Sequence, residues 1–355
     1  MTHAAIDLLK TLISIPSVSR TESEAADAVE SFLKSYGTKT RRYANNVVAL
    51  PDGFSPERPT LMLNSHIDTV KPASSWTFDP FSPVEDNGCI YGLGSNDAGA
   101  SVVSLVATFL KLRSEELPVN LLLAISAEEE VGGEKGMRLL LPSLAEEDLR
   151  PDMAIVGEPT GLQPAVAERG LVVLDCLTAG ASGHAARGDG KNAIYRALDD
   201  ISLLRGFRFE KESETLGPVR IAVTMINAGS QHNVVPDECR WVVDVRTTDA
   251  YSNEETVDIL RNAVSCHTTL TPRSTRVRAS VIEESHPLVK SAAGLGLTPF
   301  VSPTTSDMSL MGNIPSLKIG PGDSARSHAA DEFIMISEIE KAITIYPSII
   351  KNITT

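Results

Sequence analysis

Four cysteines in 355 residues, Cys89, Cys176, Cys239 and Cys266, stand far apart with no CxxC pair among them. That spacing excludes a disulfide scaffold and a cysteine zinc site, and buried free thiols are the expected state. No stretch approaches the ~18 apolar residues of a membrane span, so a soluble protein is expected. Positive charge is also short: 32 Lys and Arg face 46 Asp and Glu, for a net charge of -14. Nucleic acid and anionic membrane both demand a basic footprint and are disfavoured as partners, whereas cations are not. Internal repeats and low-complexity tracts are absent. The N-terminal stretch MTHAAIDLLKTLISIPSVS carries Ile6, Leu9, Leu12 and Ile13 at helical spacing, broken by Asp7 and Lys10 where a secretory signal needs an unbroken apolar core. A surface helix and a cytoplasmic location are the expectation.

With 355 residues the chain exceeds the roughly 250 to 300 at which a single core stops growing, so two domains are expected. Up to about residue 165, helical stretches near 3–14, 22–36, 98–115 and 134–142 alternate with the apolar runs VVALP, TLMLNSHID, NLLLAIS and MAIVGE. Such alternation predicts an α/β/α layer structure around a mostly parallel mixed sheet buried on both faces. Residues 168–280 read differently: LVVLDCLTAG, VRIAVTMINAG and CRWVVDVRTT alternate in polarity, with helices near 190–205 and 253–265. That predicts an α+β module with an antiparallel sheet, inserted into a first domain made of residues 1–167 and 281–355. The closing stretch DEFIMISEIEKAITIYPSIIK is expected to be one helix.

Chemistry gathers at the predicted strand ends. LMLNSHID puts His66 and Asp68 on one face, a pairing that could hold a metal-ligating imidazole by its second nitrogen, although His-x-Asp alone is frequent. YGLGSNDAGAS resembles a dinucleotide loop, but Asp97 stands where close helix packing requires Gly or Ala, which argues against a nucleotide-dependent oxidoreductase. AISAEEEVGG follows a buried strand with Glu128, Glu129 and Glu130, and MAIVGEPTG does the same with Glu158. In open α/β sheets ligands bind outside the carboxyl ends of the strands, where His66, Glu129, Glu130 and Glu158 all fall. His328, in GPGDSARSHAADEF, sits between a glycine-rich turn and the last helical stretch. With Asp97 these donors suit two divalent ions such as zinc sharing one carboxylate.

The order HID, GxGxxD, a Glu pair before VGG, GEPT and a late His is similar to the di-zinc aminoacylase and carboxypeptidase family. Its members include acetylornithine deacetylase, succinyl-diaminopimelate desuccinylase, glutamate carboxypeptidase and tripeptidase. SGHAA and HNVVPDECRWVVDVR extend the resemblance over nearly the whole chain. It implies that Asp97 bridges two metal ions, zinc or cobalt, with His66 and Glu158 completing one site and Glu130 and His328 the other. Asp68 would orient His66, and Glu129 would be the general base that activates water. Glu128 stands where the family has Asp and keeps the character of a surface flank. A cis peptide between Asp97 and Ala98 is also implied. The family's Lys-Gly after the bridging Asp is missing here, where Ala98, Gly99 and Ala100 follow, a mark of subfamily.

From the inserted module, the resemblance implies that His184 stabilises the oxyanion, often across a subunit boundary, and that Asn233 and Arg246 position the substrate and its carboxylate. It implies a homodimer through that lid module. His3, His232, His267 and His286 have no motif support. HIDTVKPASSW and NDAGA look most like acetylornithine deacetylase, so deacetylation of N-acetylornithine, or of an acyl-ornithine or acyl-citrulline relative, in arginine biosynthesis is the expected activity. Desuccinylase, dipeptidase or carboxypeptidase activity is the alternative, and a non-catalytic metal- or peptide-binding homologue stands as another class, which the retained Glu129 opposes.

Overall fold

Continuous apolar runs set the centre of the fold. Strands β1 (Thr40–Tyr43), β2 (Asn46–Ala49), β3 (Thr60–His66), β4 (Asn120–Ser126), β5 (Met153–Val156) and β6 (Ser316–Lys318) lie in the order β1-β2-β4-β3-β5-β6. In this computed structural model, which describes residues 1–51, 53–55 and 57–354, β3 runs parallel to β4 and β5, and β5 parallel to β6. β1 and β2 add antiparallel at one side. Every residue of β3, β4, β5 and β6 is buried, as a sheet covered on both faces demands.

Side-chain alternation divides the core into two layers. Leu61 and Leu63 of β3, with Leu121, Leu123 and Ile125 of β4, face the helices Thr2–Ile13, Ala100–Leu112 and Ile336–Lys351. Met62, Leu122, Ala124 and Val156 face the helix Met137–Glu146 on the other side. Each fully buried leucine contributes about 1.5–3 kcal/mol, and both layers must fill before the strand ends are held still. The helix Ala100–Leu112 is buried at every position but Lys111, so it behaves as core rather than as a surface amphipath.

The C-terminal stretch departs from expectation. Phe333–Met335 is a strand paired antiparallel with Cys89–Tyr91, and the helix begins only at Ile336. Phe333 stacks on Tyr91 at 5.4 Å between ring centroids, and the Arg326 guanidinium lies 4.5 Å over the Phe333 ring, contacts a helix starting at Asp331 would forfeit. Cys89–Tyr91 also closes a hairpin with Val84–Asp86 that periodicity did not predict. Its turn is Asn87-Gly88, both with positive φ, and this Asn-Gly pair was the available signal.

The chain divides into two compact units. The first comprises Met1–Val166, Val281–Ser302 and the stretch from Ser306 onward; the second is Ala167–Ser280 with Pro303–Thr305. In the second, strands Arg220–Ala228, Glu238–Thr247, Gly170–Ala179 and Thr268–Pro272 form an antiparallel sheet in that order. Cys239, Trp241, Val243 and Val245 alternate into a core under the helices Ala193–Gly206 and Asn253–Ala263. Ser252 and Glu255 form a reciprocal capping box that starts the second helix. Cys176 and Cys239 are buried here, but Cys89 is only half-buried and Cys266 is exposed, so buried thiols hold for two of the four. Among the described residues no helix is long and apolar enough to cross a membrane.

Candidate active site

Register brings the strand ends level. His66 of β3 pairs with Ser126 of β4, and Asn64 pairs with Val156 of β5, so Glu158, two residues on, arrives beside His66. Main-chain geometry then orients the imidazole. His66 Nδ1 donates to the main-chain oxygen of Asp68 at 2.9 Å, while the nearer carboxylate oxygen stands at 3.5 Å. Asp68 thus meets the imidazole with its main-chain oxygen as the closer partner and its carboxylate beside it. In the neutral ring this keeps the proton on Nδ1 and leaves the Nε2 lone pair for a ligand. The Asp68 carboxylate also accepts the backbone N–H of Glu129 at 2.9 Å and of Glu130 at 3.1 Å, and the Ser19 hydroxyl at 2.8 Å. It ties the end of β3 to the loop that carries both glutamates.

Asp97 sits between two imidazoles. Its Oδ1 lies 3.2 Å from His66 Nε2 and its Oδ2 3.7 Å from His328 Nε2. Glu158 Oε1 approaches His66 Nε2 at 3.7 Å, and Glu130 approaches His328 Nε2 at 3.0 Å. The peptide bond from Asp97 to Ala98 is cis. Two ligand atoms on one tetrahedral zinc ion lie about 3.4 Å apart for bonds near 2.0–2.2 Å, so these spacings fit an ion on each side of Asp97. His66, Asp97 and Glu130 alone place ligand atoms within 4.8 Å of one another.

The electrostatics favour the same occupant. Burial, reinforced by neighbouring carboxylates and opposed by His66, pushes Glu158 up to about 8 and holds Glu129 well above the carboxylate range. Burial raises Glu130 as well. Although burial opposes it, the Asp68 and Asp97 carboxylates keep His66 well above its ordinary value. Five acidic groups, Asp68, Asp97, Glu129, Glu130 and Glu158, thus crowd one buried imidazole, and divalent cations would supply the missing positive charge. The donor set fits them. Among the described residues the Glu129 carboxylate has no hydrogen-bond or ion-pair partner, although its backbone is fixed on Asp68.

Glu128 is not a surface flank. It is 6% exposed, and its carboxylate accepts the Lys135 N–H at 3.1 Å. A Cβ on Gly133 would come within 1.9 Å of that carboxylate, which accounts for the second glycine of EEEVGG. Spacing gave no sign of other polar groups nearby. Asp307, 2% exposed, accepts the Ser126 hydroxyl at 2.6 Å, and burial pushes it to about 6. Glu332, also 2% exposed, accepts three backbone N–H groups around Asp97 and is pushed by burial to about 7. The assignment of Asp331–Glu332 to a helix concealed it.

The other predicted residues lie in the second unit. His184 pairs with Val234 across a short antiparallel bridge, and the Ala185 N–H donates to the Asn233 carbonyl at 3.0 Å, so His184 and Asn233 are neighbours. The Ala186 N–H donates to His184 Nδ1 at 3.2 Å, which leaves Nε2 to carry the proton of the neutral ring. Arg246 is engaged by Asp244 at 2.8 and 3.2 Å, so it meets a second carboxylate only by sharing or releasing the first.

The sequence profile described as Peptidase family M20/M25/M40 matches residues 62–352. The chain belongs to this family. This M20 peptidase is therefore a metal-dependent hydrolase. It is 27% identical to a succinyl-diaminopimelate desuccinylase of Sulfurovum sp. (strain NBC37-1), over 98% of this chain and 99% of that protein. It is 30% identical to a probable carboxypeptidase of Emericella nidulans, over 97% of this chain and 88% of that one. Its fold matches a dinuclear metal-binding peptidase of family M20 from Bacillus subtilis with a TM-score of 0.74, at 16% identity and covering 98% and 97% of the two chains.

Proposed function

We propose that this M20 peptidase hydrolyses the amide bond of a small N-acylated amino acid, with N-succinyl amino acids as the leading substrate class. The reading is carried by Asp97, whose two oxygens face His66 and His328 beside a Glu129 carboxylate with no hydrogen-bond or ion-pair partner among the described residues. His66 and Glu158 on one side of Asp97, and Glu130 and His328 on the other, would hold two divalent ions. When bound, these ions supply Lewis acidity toward the amide carbonyl and the attacking water. Glu129 takes the proton from that water and returns it to the leaving amine, and its lack of a partner leaves it free to do both. Asp68 keeps the main chain of Glu129 and Glu130 in register while that proton moves. From the second unit, His184 donates Nε2–H to the developing oxyanion, with Asn233 positioning the substrate and Arg246 holding its carboxylate.

The expectation of acetylornithine, and of arginine biosynthesis with it, is less well supported than its alternative. The desuccinylase relative named above aligns over nearly the full length of both chains and favours the succinyl group. A carboxypeptidase or dipeptidase activity is the second reading, favoured by the fungal relative at 30% identity. Turnover of N-succinyl-diaminopimelate, N-acetylornithine, N-acetylcitrulline and simple dipeptides by the metal-loaded enzyme separates these. The succinyl substrate should lead the acetyl ones in kcat/KM by about 10- to 100-fold, the worth of ~1.5–3 kcal/mol for one hydrogen bond to a charged group. A lead for acetylornithine would restore the first expectation, and a lead for dipeptides the second reading. No turnover with two ions bound would leave a non-catalytic homologue.

A homodimer through the second unit is the proposed assembly. Support comes from apolar side chains standing in solvent: Met225 and Ile226 on the edge strand, at 64% and 53% exposure, and Tyr195 on the helix Ala193–Gly206, at 68%. Mixing a His184→Ala variant with a Glu129→Ala variant should restore partial activity if His184 serves the partner's site. A monomer by light scattering, or no recovery after verified subunit exchange, would rule that arrangement out.

A further inference from the structure

Two loops far apart in sequence hold each other by reciprocal side-chain bonds. Glu332 stands four residues after His328, and its buried carboxylate accepts the N–H groups of Gly94 at 3.0 Å, Asn96 at 2.8 Å and Asp97 at 2.8 Å. Asn96 stands directly before Asp97 and reaches the opposite way. Its Oδ1 accepts the Asp323 N–H at 3.0 Å, and its Nδ2 donates to the Asp323 carbonyl at 3.0 Å and to the Ser327 hydroxyl at 3.3 Å. Ser327 directly precedes His328. A third link is main chain: the Gly92 N–H donates to the Glu332 carbonyl at 3.0 Å. Close approach is built in, since a Cβ on Gly322 would come within 2.3 Å of Asn96 Oδ1.

We propose that Glu332 and Asn96 are positioning residues, a two-way clamp that sets the separation of Asp97 from His328 and so the affinity of the ion held by Asp97, Glu130 and His328. The other ion shares Asp97 but takes His66 and Glu158 from strand ends that β3, β4 and β5 fix, so it has one ligand on the clamped loops where the ion beside His328 has two. A carboxylate is needed at 332 because it only accepts. Glutamine would turn an N–H₂ toward one of the three backbone donors and leave that donor without an acceptor. The inference rests on the two-ion reading of the site but not on any choice of substrate.

The test is cobalt(II) titrated into the metal-free full chain, with uptake followed by absorption and stoichiometry by elemental analysis. The parent should take up two ions in two steps. Glu332→Gln, and separately Asn96→Ala, should weaken the second step about 10- to 100-fold, the range that loss of hydrogen bonds behind metal ligands produces, and the first step distinctly less. Should Glu332→Gln fail to fold, Asn96→Ala decides alone. Unchanged second steps would overturn the clamp, as would equal weakening of both steps with a lowered thermal midpoint of the metal-free protein, which is the mark of general destabilisation. A parent chain that binds a single ion would overturn the two-ion reading and the clamp with it.

Discussion

Glu129→Gln is expected to abolish amide hydrolysis while the protein still takes up two divalent ions. Glutamine keeps the size of the side chain but cannot carry the proton from water to the leaving amine, a task worth about 10²- to 10⁴-fold in rate. The backbone N–H that Asp68 accepts is untouched by the change, and the carboxylate that is lost has no partner among the described residues. Folding should therefore be unharmed, and removing one of several crowded buried charges should if anything help it. The measurement is kcat/KM on the best substrate of the panel beside metal content per chain. Activity within tenfold of the parent would end the assignment of Glu129 as base. Loss of one ion would instead mean that Glu129 and Glu130 exchange roles.

Asp97→Ala is expected to cost both ions and all measurable turnover. Asp97 is the group whose two oxygens face His66 and His328, so its removal opens both sites at once. Glu130→Ala should lose only the ion shared with His328, which Glu130 approaches at 3.0 Å. A ligand that binds only the folded state raises its stability, so added metal should raise the thermal midpoint of the parent. With Asp97→Ala that rise should vanish, while the metal-free midpoint falls, because, although burial opposes it, His66 holds the Asp97 carboxylate below its ordinary value and would lose that partner. Two ions per chain in Asp97→Ala, by elemental analysis, would refute the bridging role.

Parts of this site were legible from composition and period. Apolar runs ending in His66, before Glu129 and before Glu158 predicted strands whose carboxyl ends would gather, because strand identity is a short-range property of alternation and burial. Other parts were not. Glu128 resembled its neighbours in sequence, yet its positive φ and the Lys135 N–H take it into the interior. Asp68 stands beside the imidazole, and no spacing announces the three further donors, from Ser19, Glu129 and Glu130, that its carboxylate also accepts. Glu332 was placed in a helix, although pairing of Phe333–Met335 with Cys89–Tyr91 delays that helix to Ile336.

The sequence by itself determined the layered α/β architecture around a mostly parallel sheet, and its motifs placed the family, since both depend on local patterns and on residue types at set spacings. Tertiary structure alone decided which acceptor each carboxylate serves. Backbone N–H groups advertise nothing in a sequence, and those of Gly94, Asn96 and Asp97 meet Glu332, more than two hundred residues away, only once the sheet and its covering helices have packed.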